Sequence, residues 1–427
     1  MNPPTGNGLT NAGLQLRAEA RIPGGVNSPI RAFRAVGGEP YFVARAEGAR
    51  LWDVEGNEYL DLVQSYGAII AGHAHPAIVD AVQDAATRGT SYGATTEGEV
   101  RIAEEICDRV PSVDKVRLAS SGTEATMSAI RLARGHTGRD RLVKFAGNYH
   151  GHGDALLAQS GSALAVFGLP DSVGVTASTV ADTRVVPFNQ VPTLDDETAA
   201  VIVEPVAANM GLVPPAAGFL PALRDECDRV GALLIFDEVI TGFRVARGGA
   251  QELFGVTPDL TCMGKVIGGG LNIGAFGGRA DVMDSMAPDG PVFQAGTLSG
   301  NPLATAAGLA ALALLDDDAY RRMEAAATRL AGHLEKAFAG AGVDAVVPRV
   351  STLVGVHFGT EAPTSYDGAK TTDEARYAAF FAAMVERGVA MAPGAYEVLF
   401  PGLAHTDDVV DAIGAAAAEA APVTAST

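Results

Sequence analysis

A short apolar run that ends in two acids, Leu233-Leu-Ile-Phe-Asp-Glu-Val239, places the strongest constraint on the fold. It has the length and composition of a strand that is buried on both faces of a parallel sheet. Open α/β sheets bind their ligands at the carboxyl ends of such strands, which is where Asp237 falls. We therefore predict that Asp237 belongs to a ligand site, although an acid in this position also suits the N-cap of a helix.

Strand-like and helix-like segments alternate around this run from about residue 113 to residue 278. This alternation predicts an α/β fold with a mainly parallel sheet and crossover helices. The other strands are predicted at residues 115–119, 141–145 and 200–203, and helices at residues 124–134 and 218–230.

The two ends of the chain follow a different pattern. Residues 41–62 alternate like short antiparallel strands. Beyond residue 316, helices are predicted at 318–339, 372–387 and 406–420, and strands at 352–358 and 389–392. We therefore expect a large domain at residues 67–316 and a smaller α+β domain at residues 317–427, which the N-terminal segment 1–66 joins.

Composition excludes several classes of function. The formal net charge of −19 makes nucleic acid and anionic membranes poor partners. No apolar run reaches the roughly 18 residues that a membrane span needs, and the N-terminus lacks a signal-peptide core. The three cysteines, Cys107, Cys227 and Cys262, are scattered and lack the spacing of metal ligands. They indicate reduced thiols in a cytoplasmic protein without a metal site.

Lys265 lies in the segment Met263-Gly-Lys-Val-Ile-Gly-Gly-Gly270 and is the only lysine followed closely by a glycine run. A lysine buried near an acid suits Schiff-base chemistry, because burial lowers its pKa and frees the amine to attack. Asp237 would then face a pyridinium nitrogen, as in sites for pyridoxal 5'-phosphate (PLP). A surface cation also fits Lys265 taken alone.

The turn Ser120-Ser-Gly-Thr123 between a predicted strand and a predicted helix suits a phosphate group. Backbone amides, hydroxyl groups and the helix dipole would all favour an anion there. Helix capping explains the serine and threonine as well. Tyr149, which follows the next predicted strand among glycines, could lie flat on a cofactor ring or could be an ordinary loop tyrosine.

Two loops and two histidines complete the candidate features. The loop at residues 22–33 is so rich in Pro and Gly that we predict no regular element there. It carries one charged side chain, Arg31, which could bind a carboxylate or be an exposed cation. Residues 160–179 are long and nearly uncharged, as in active-site lids. His73 and His75 lack an acidic cluster, so structural hydrogen bonding is favoured over a metal site.

Several motifs occur together in one order and resemble the glutamate-1-semialdehyde 2,1-aminomutase family, a PLP-dependent branch of the class III aminotransferases. The resemblance runs from about residue 15 to residue 415. Its motifs are Pro23-Gly-Gly-Val-Asn-Ser-Pro29, Gly72-His-Ala-His-Pro76, Ser120-Ser-Gly-Thr-Glu-Ala125, Tyr149-His-Gly-His152, Glu204-Pro205, Asp237-Glu-Val239, Gly264-Lys265 and Ala295-Gly-Thr-Leu-Ser-Gly-Asn-Pro302. It implies the fold of the type I PLP-dependent aminotransferases.

The resemblance also assigns roles to individual residues. Lys265 would bond covalently to the cofactor, and Asp237 would pair with its ring nitrogen. Tyr149 and Val239 would lie against the ring, with Glu204 and Asn209 nearby. Ser121, Gly122 and Thr123 would hold the phosphate, which Thr297 of a second subunit would reach in a homodimer with shared active sites. Ser28 and Arg31 would hold the carboxylate of a small-molecule substrate, and Tyr66 would lie near that substrate.

The implied reaction moves an amino group from C2 to C1 of glutamate-1-semialdehyde and gives 5-aminolevulinate for tetrapyrrole (porphyrin) synthesis. The cofactor would start as pyridoxamine 5'-phosphate. Two departures from the family concern Tyr66, where tryptophan is usual, and Asn272, where proline is usual; neither is expected to touch the cofactor groups. The alternatives are a transaminase of an ω- or β-amino acid and, more remotely, a non-catalytic relative.

Overall fold

Strands and helices alternate along most of the chain. The structure, a computed structural model, describes residues 9–158 and 172–425. The strands are β1 (Val43–Glu47), β2 (Arg50–Asp53), β3 (Glu58–Asp61), β4 (Lys115–Ala119), β5 (Arg141–Phe145), β6 (Thr183–Val186), β7 (Thr198–Val203), β8 (Leu233–Asp237), β9 (Leu260–Gly264), β10 (Gly274–Gly278), β11 (Arg349–Val350), β12 (Leu353–Val354) and β13 (Val389–Ala390).

The helices range from one turn to 25 residues. They are α1 (Asn11–Glu19), α2 (Pro76–Arg88), α3 (Glu97–Arg109), α4 (Gly122–Thr137), α5 (Ala177–Val180), α6 (Phe219–Val230), α7 (Ala250–Phe254), α8 (Ala280–Met283), α9 (Pro302–Ala313), α10 (Asp317–Ala341), α11 (Tyr366–Ala369), α12 (Glu374–Glu386) and α13 (Asp407–Thr424). No helix of the described ranges is both long and apolar enough to span a bilayer.

Seven strands form the large sheet, in the order β4-β10-β9-β8-β7-β5-β6. The pairs from β9 through β6 are all parallel, and only β10 runs antiparallel to its two neighbours. The predicted mainly parallel α/β sheet is therefore confirmed. Every residue of β7, β8 and β9 is buried, because helices cover both faces.

Alternate residues of the central strands enter two separate cores. Ile235 of β8 packs with α4 residues such as Ala129, on one face of the sheet. Leu234 and Phe236 point to the other face and pack with α6, where Leu223 is fully buried. The two-residue period of a strand thus gives each face its own apolar layer.

A second, four-stranded sheet joins the two ends of the chain in the order β1-β2-β3-β13. Leu60 of β3 pairs with Val389 of β13 in parallel, which confirms that the smaller α+β unit uses both chain ends. Helices α10, α12 and α13 pack into one core that includes Leu334, Phe380 and Ile413. The N-terminal strands therefore share a sheet with a strand from the last third of the chain.

Three local predictions need correction. The loop at residues 22–33, predicted to lack regular elements, contains 3₁₀ turns at Pro23–Gly25 and Pro29–Ala32, each started by a proline. The strand predicted at residues 352–358 is only Leu353–Val354, because its partner β11 offers two residues. Helix α4 begins at Gly122, since the Ser121 side chain caps the amide of Glu124 at 3.2 Å.

Candidate active site

The candidate site lies at the carboxyl edge of the large sheet. Strands β4, β5, β7, β8 and β9 all end at this edge, and Gly274 of antiparallel β10 lies level with Ala119 and Gly264. The segments that leave these strands line a cavity of about 360 Å³, here called the lysine cavity. It brings together these predicted residues: Ser121, Gly122, Thr123, Tyr149, Glu204, Asn209, Asp237, Val239 and Lys265.

Lys265 immediately follows β9 and starts a 3₁₀ turn with a positive φ of 50°. The turn fits against α9 because residue 269 is glycine: a Cβ there would lie 2.5 Å from the carbonyl oxygen of Ala307. Burial lowers the pKa of the Lys265 amine to about 8, although Glu397 and Glu204 oppose the shift. A sizeable fraction of this amine is therefore neutral near pH 8 and able to act as a nucleophile.

Asp237 ends strand β8 and is almost fully buried. Its Oδ1 atom accepts a hydrogen bond from the backbone amide of Val239 at 3.0 Å. Its Oδ2 atom lies 2.7 Å from Nδ1 of His150. The next helix begins only at Ala250, so the alternative of a helix N-cap at Asp237 is wrong.

His150 contacts Asp237 through its imidazole ring, and no role was predicted for it from the sequence. Burial lowers the pKa of its imidazole, against the opposing charge of Asp237. A neutral ring that donates Nδ1–H to Asp237 satisfies this geometry. Its Nε2 atom is buried and has no hydrogen-bond partner among the described residues.

The start of α4 forms an anion cradle in the lysine cavity. Its first intrahelical bond runs from the amide of Ala125 to the Ser121 carbonyl, so the amides of Gly122 and Thr123 precede it. Unpaired amides and the dipole of this 16-residue helix favour a phosphate group. Gly122 lies against Val239, where a Cβ would come within 2.9 Å of Cγ1.

Glu204 closes the lysine cavity at the end of β7. Its carboxyl group accepts hydrogen bonds from the Tyr149 amide at 2.6 Å, the Ala208 amide at 3.0 Å and the Asn209 side chain at 2.9 Å. Burial and the nearby Asp237 charge raise its pKa to about 8. At neutral pH this acid is therefore mostly protonated.

A second cavity of about 230 Å³, here called the arginine cavity, adjoins the first. It brings together the three predicted substrate residues Ser28, Arg31 and Tyr66, and Arg31 is exposed. Lys265, Tyr149 and Asn209 line both cavities, so the two form one continuous site around the lysine. Glu397 and Phe400 complete the arginine cavity.

Three further predictions concern Thr297, the lid and Asn272. Thr297 is exposed and lines a separate depression with Tyr92 and Asn301. Residues 160–171 of the predicted lid lie outside the described residues. Asn272, expected not to touch the cofactor groups, lines the lysine cavity together with Gly270 and Leu271.

The histidine prediction is confirmed for His73, whose Nε2 lies 2.7 Å from Oδ2 of Asp61. Within residues 9–158 and 172–425, no group of three His, Cys, Asp or Glu side chains could hold a metal ion. His150 and Glu397 were not predicted from the sequence to line or support the site. The Tyr-His-Gly-His motif signalled His150, whereas Glu397 lies in an irregular segment without any motif.

Comparison with known proteins agrees with this geometry. Residues 33–416 match the model of the class III aminotransferases. A glutamate-1-semialdehyde 2,1-aminomutase of Desulforudis audaxviator is 53% identical over 407 residues, covering 93% of this chain and 94% of the relative.

Two solved structures share the fold over nearly the whole chain. An ω-transaminase from Sphaerobacter thermophilus has a TM-score of 0.90 at 33% identity and covers 98% of both chains. A glutamate-1-semialdehyde aminomutase from Pseudomonas aeruginosa has a TM-score of 0.86 at 27% identity, covering 97% of this chain and 94% of the other. The chain belongs to the class III aminotransferase family.

Proposed function

We propose that this protein is a glutamate-1-semialdehyde 2,1-aminomutase, an isomerase that forms 5-aminolevulinate. The observation that carries this proposal is the continuity of the lysine cavity with a small cavity that contains Arg31 and Ser28. The substrate has one carboxylate at the end remote from its aldehyde and amino group, so an arginine suits its recognition. The name of the 53% identical relative supports the same reading.

The lysine cavity fits PLP, the cofactor of this enzyme. The amides at the start of α4 suit its phosphate, Asp237 suits its ring nitrogen, and Lys265 suits its carbonyl carbon. When bound, PLP or its pyridoxamine form acts as an electron sink and as the carrier of an amino group. We further propose that Tyr149 and Val239 flank the ring and that Glu204 and Asn209 lie at its edge.

Lys265 is proposed to move protons between the two carbon atoms that exchange the amino group. A pKa of about 8 suits this role, because such an amine both accepts and returns a proton near neutral pH. Asp237 would hold positive charge on the ring nitrogen throughout. Arg31 and Ser28 would fix the carboxylate end, so that both carbon atoms stay within reach of one amine.

A transaminase of an ω- or β-amino acid is the second candidate, because the Sphaerobacter ω-transaminase shares the fold at a TM-score of 0.90. The two functions differ in what must enter the site. A transaminase needs an amino donor and a separate keto acid, whereas the aminomutase needs one substrate. The small arginine cavity favours a single short acid.

The test supplies purified, cofactor-loaded protein with two sets of reactants. One contains glutamate-1-semialdehyde alone, and the other contains a β-amino acid with 2-oxoglutarate as acceptor. We expect 5-aminolevulinate in the first set and no amino transfer to 2-oxoglutarate in the second. Product formation only in the second set would show that the protein is a transaminase.

Assembly and location form part of the same proposal. We propose a homodimer in which the exposed Thr297 reaches the phosphate site of the partner subunit. Residues 67–316 would form the large domain, and residues 1–66 and 317–427 the smaller one. A cytoplasmic location suits the three free cysteines.

A further inference from the structure

The segment that carries Tyr66 into the arginine cavity has a strained backbone. Gln64, Ser65 and Tyr66 have φ values of 44°, 52° and 55°, and Gly67 continues the run at 91°. Residues with a side chain rarely adopt this left-handed region, and consecutive ones are rarer still. Such a run persists only where the surrounding structure fixes it. We call residues 64–67 the left-handed turn.

One carboxylate group fixes the start of this turn. Asp61 is 2% exposed and accepts hydrogen bonds from the amides of Val63 at 2.8 Å and Gln64 at 3.2 Å. It also accepts one from the Gln64 side chain at 3.2 Å and lies 2.7 Å from Nε2 of His73. The carboxylate thus accepts two backbone amides where the turn begins, and His73 is its donor from a separate segment.

His73 is itself held by a different part of the chain. Its amide donates to the carbonyl of Gly48 at 2.7 Å, and its carbonyl accepts from the Gly48 amide at 2.8 Å. These backbone bonds persist whatever the side chain at position 73. The imidazole therefore ties the carboxylate of Asp61 to the turn between strands β1 and β2.

Close packing alone does not hold the turn in place. A cavity of about 270 Å³ lies beside it, lined by Asp61, His73, Ser65 and Tyr66 together with Arg31. The turn therefore has space into which it could relax. At its other end, the Gly67 carbonyl accepts from Arg244 at 2.9 Å, which fixes only that end.

The turn supplies walls to both parts of the site. Ser65 lines the lysine cavity and Tyr66 lines the arginine cavity. We propose that Asp61 and His73 are positioning residues that set the substrate cavity through the left-handed turn, and so determine which short carboxylates fit beside Arg31. This inference rests on the proposed function, whose carboxylate substrate it concerns.

Binding of pentanoate, an inert five-carbon carboxylate, tests the inference without any turnover. Affinity is measured on the cofactor-loaded enzyme through the change in cofactor absorption. His73→Leu removes the donor and is expected to weaken pentanoate by about tenfold, since a hydrogen bond to a charged group contributes at least that factor. His73→Gln keeps a donor near the Nε2 position and should restore most of the affinity. The exposed His136→Leu serves as the matched control and should bind normally.

A double-mutant cycle shows whether the effect passes through Tyr66. In a Tyr66→Ala background, His73→Leu should weaken pentanoate no further, because the wall that it positions is gone. An equal loss in both backgrounds, or equal loss for His73→Leu and His73→Gln, would overturn the inference. Should His73→Leu fail to fold, the isosteric Asp61→Asn enters the same cycle with the same expected outcomes. If wild type binds pentanoate but forms no 5-aminolevulinate, the proposed function is wrong, whereas the inference about Asp61 and His73 is not affected.

Discussion

The Nδ1 atom of His150 lies 2.7 Å from Oδ2 of Asp237, and the imidazole is fully buried. The amide of Val239 donates to the other carboxylate oxygen. Two donors from different segments therefore fix the plane of the Asp237 carboxylate where it lines the lysine cavity. The Asp237 carboxylate therefore has a defined orientation in the lysine cavity.

Replacing Asp237 by asparagine should retain the shape of the site and lose its charge. We expect the cofactor to bind and turnover to fall by more than tenfold, because a charge-assisted hydrogen bond contributes about 1.5–3 kcal/mol and the electron sink weakens with it. Steady-state kinetics and cofactor absorption measure the two effects. The neighbouring Glu238→Gln is the control: this acid bonds Thr241 and Gln251 and is expected to affect mainly stability. Near-normal turnover of Asp237→Asn would show that another residue holds the nitrogen.

Lys265→Ala should abolish both turnover and the absorption band of the covalently attached cofactor. Lys265 lines the lysine cavity, and the pKa of its amine is about 8. Exposed Lys336→Ala supplies the control and should keep band and turnover. Borohydride reduction followed by peptide mapping gives a second measurement. Cofactor fixed to a different lysine in wild type would contradict the assignment.

Arg31→Ala should weaken the binding of pentanoate and leave the cofactor absorption unchanged. Because Arg31 is exposed in the described structure, we expect a loss of about 2 kcal/mol, at the low end for a truncated charge pair. Arg31→Lys should restore part of it, since an ammonium group lacks the planar guanidinium fork. The exposed Arg34→Ala, three residues further along the chain, is the matched control. Unchanged affinity in Arg31→Ala would mean that the side chain is a surface cation.

His405 should make stability depend on pH. Its Nδ1 atom accepts from the Gly402 amide at 3.1 Å, and its Nε2 lies 3.0 Å from the Asp61 carbonyl, which suits a neutral ring. Burial lowers its pKa from 6.5 to about 4. The unfolded chain therefore binds more protons between these values, and the free energy of unfolding falls as pH drops from about 6.5 to about 4.

The expected loss is on the order of 3 kcal/mol, from about 1.4 kcal/mol per unit of pKa. Urea unfolding of wild type and His405→Gln at several pH values isolates this contribution from that of the carboxylates. The advantage of wild type over His405→Gln should shrink toward pH 4. A constant difference across this range would show that His405 does not titrate in this way. His136→Gln should show no such trend.

The regular part of the fold could be predicted because local sequence determines it. Strand β8 is a continuous apolar run, and α2 begins at Pro76, whose ring suits the first turn of a helix. Strand β10 was not predicted, because three of its five residues are glycine and carry little strand preference. The position of β10 in the sheet depends on its pairing with β4 and β9, which a local sequence pattern does not predict.

The site could be predicted wherever a motif follows a strand, as at Ser121, Asp237 and Lys265. The missing members come from distant segments. Glu397 reaches the arginine cavity only through the packing of the C-terminal unit, so its neighbours in sequence carry no signal of it. The left-handed turn at Gln64 could not be predicted either, because non-glycine residues give no sequence signal of a positive φ angle.

Counting turnovers on a single substrate distinguishes an aminomutase from a transaminase. Purified enzyme in its pyridoxamine form is mixed with a large excess of glutamate-1-semialdehyde, without any keto acid or other amine. We predict that 5-aminolevulinate accumulates steadily far beyond one equivalent per active site. Release of about one equivalent per site of the diamine formed by amino transfer to the aldehyde, with more only after an added amino donor, would identify a transaminase and contradict the proposed function.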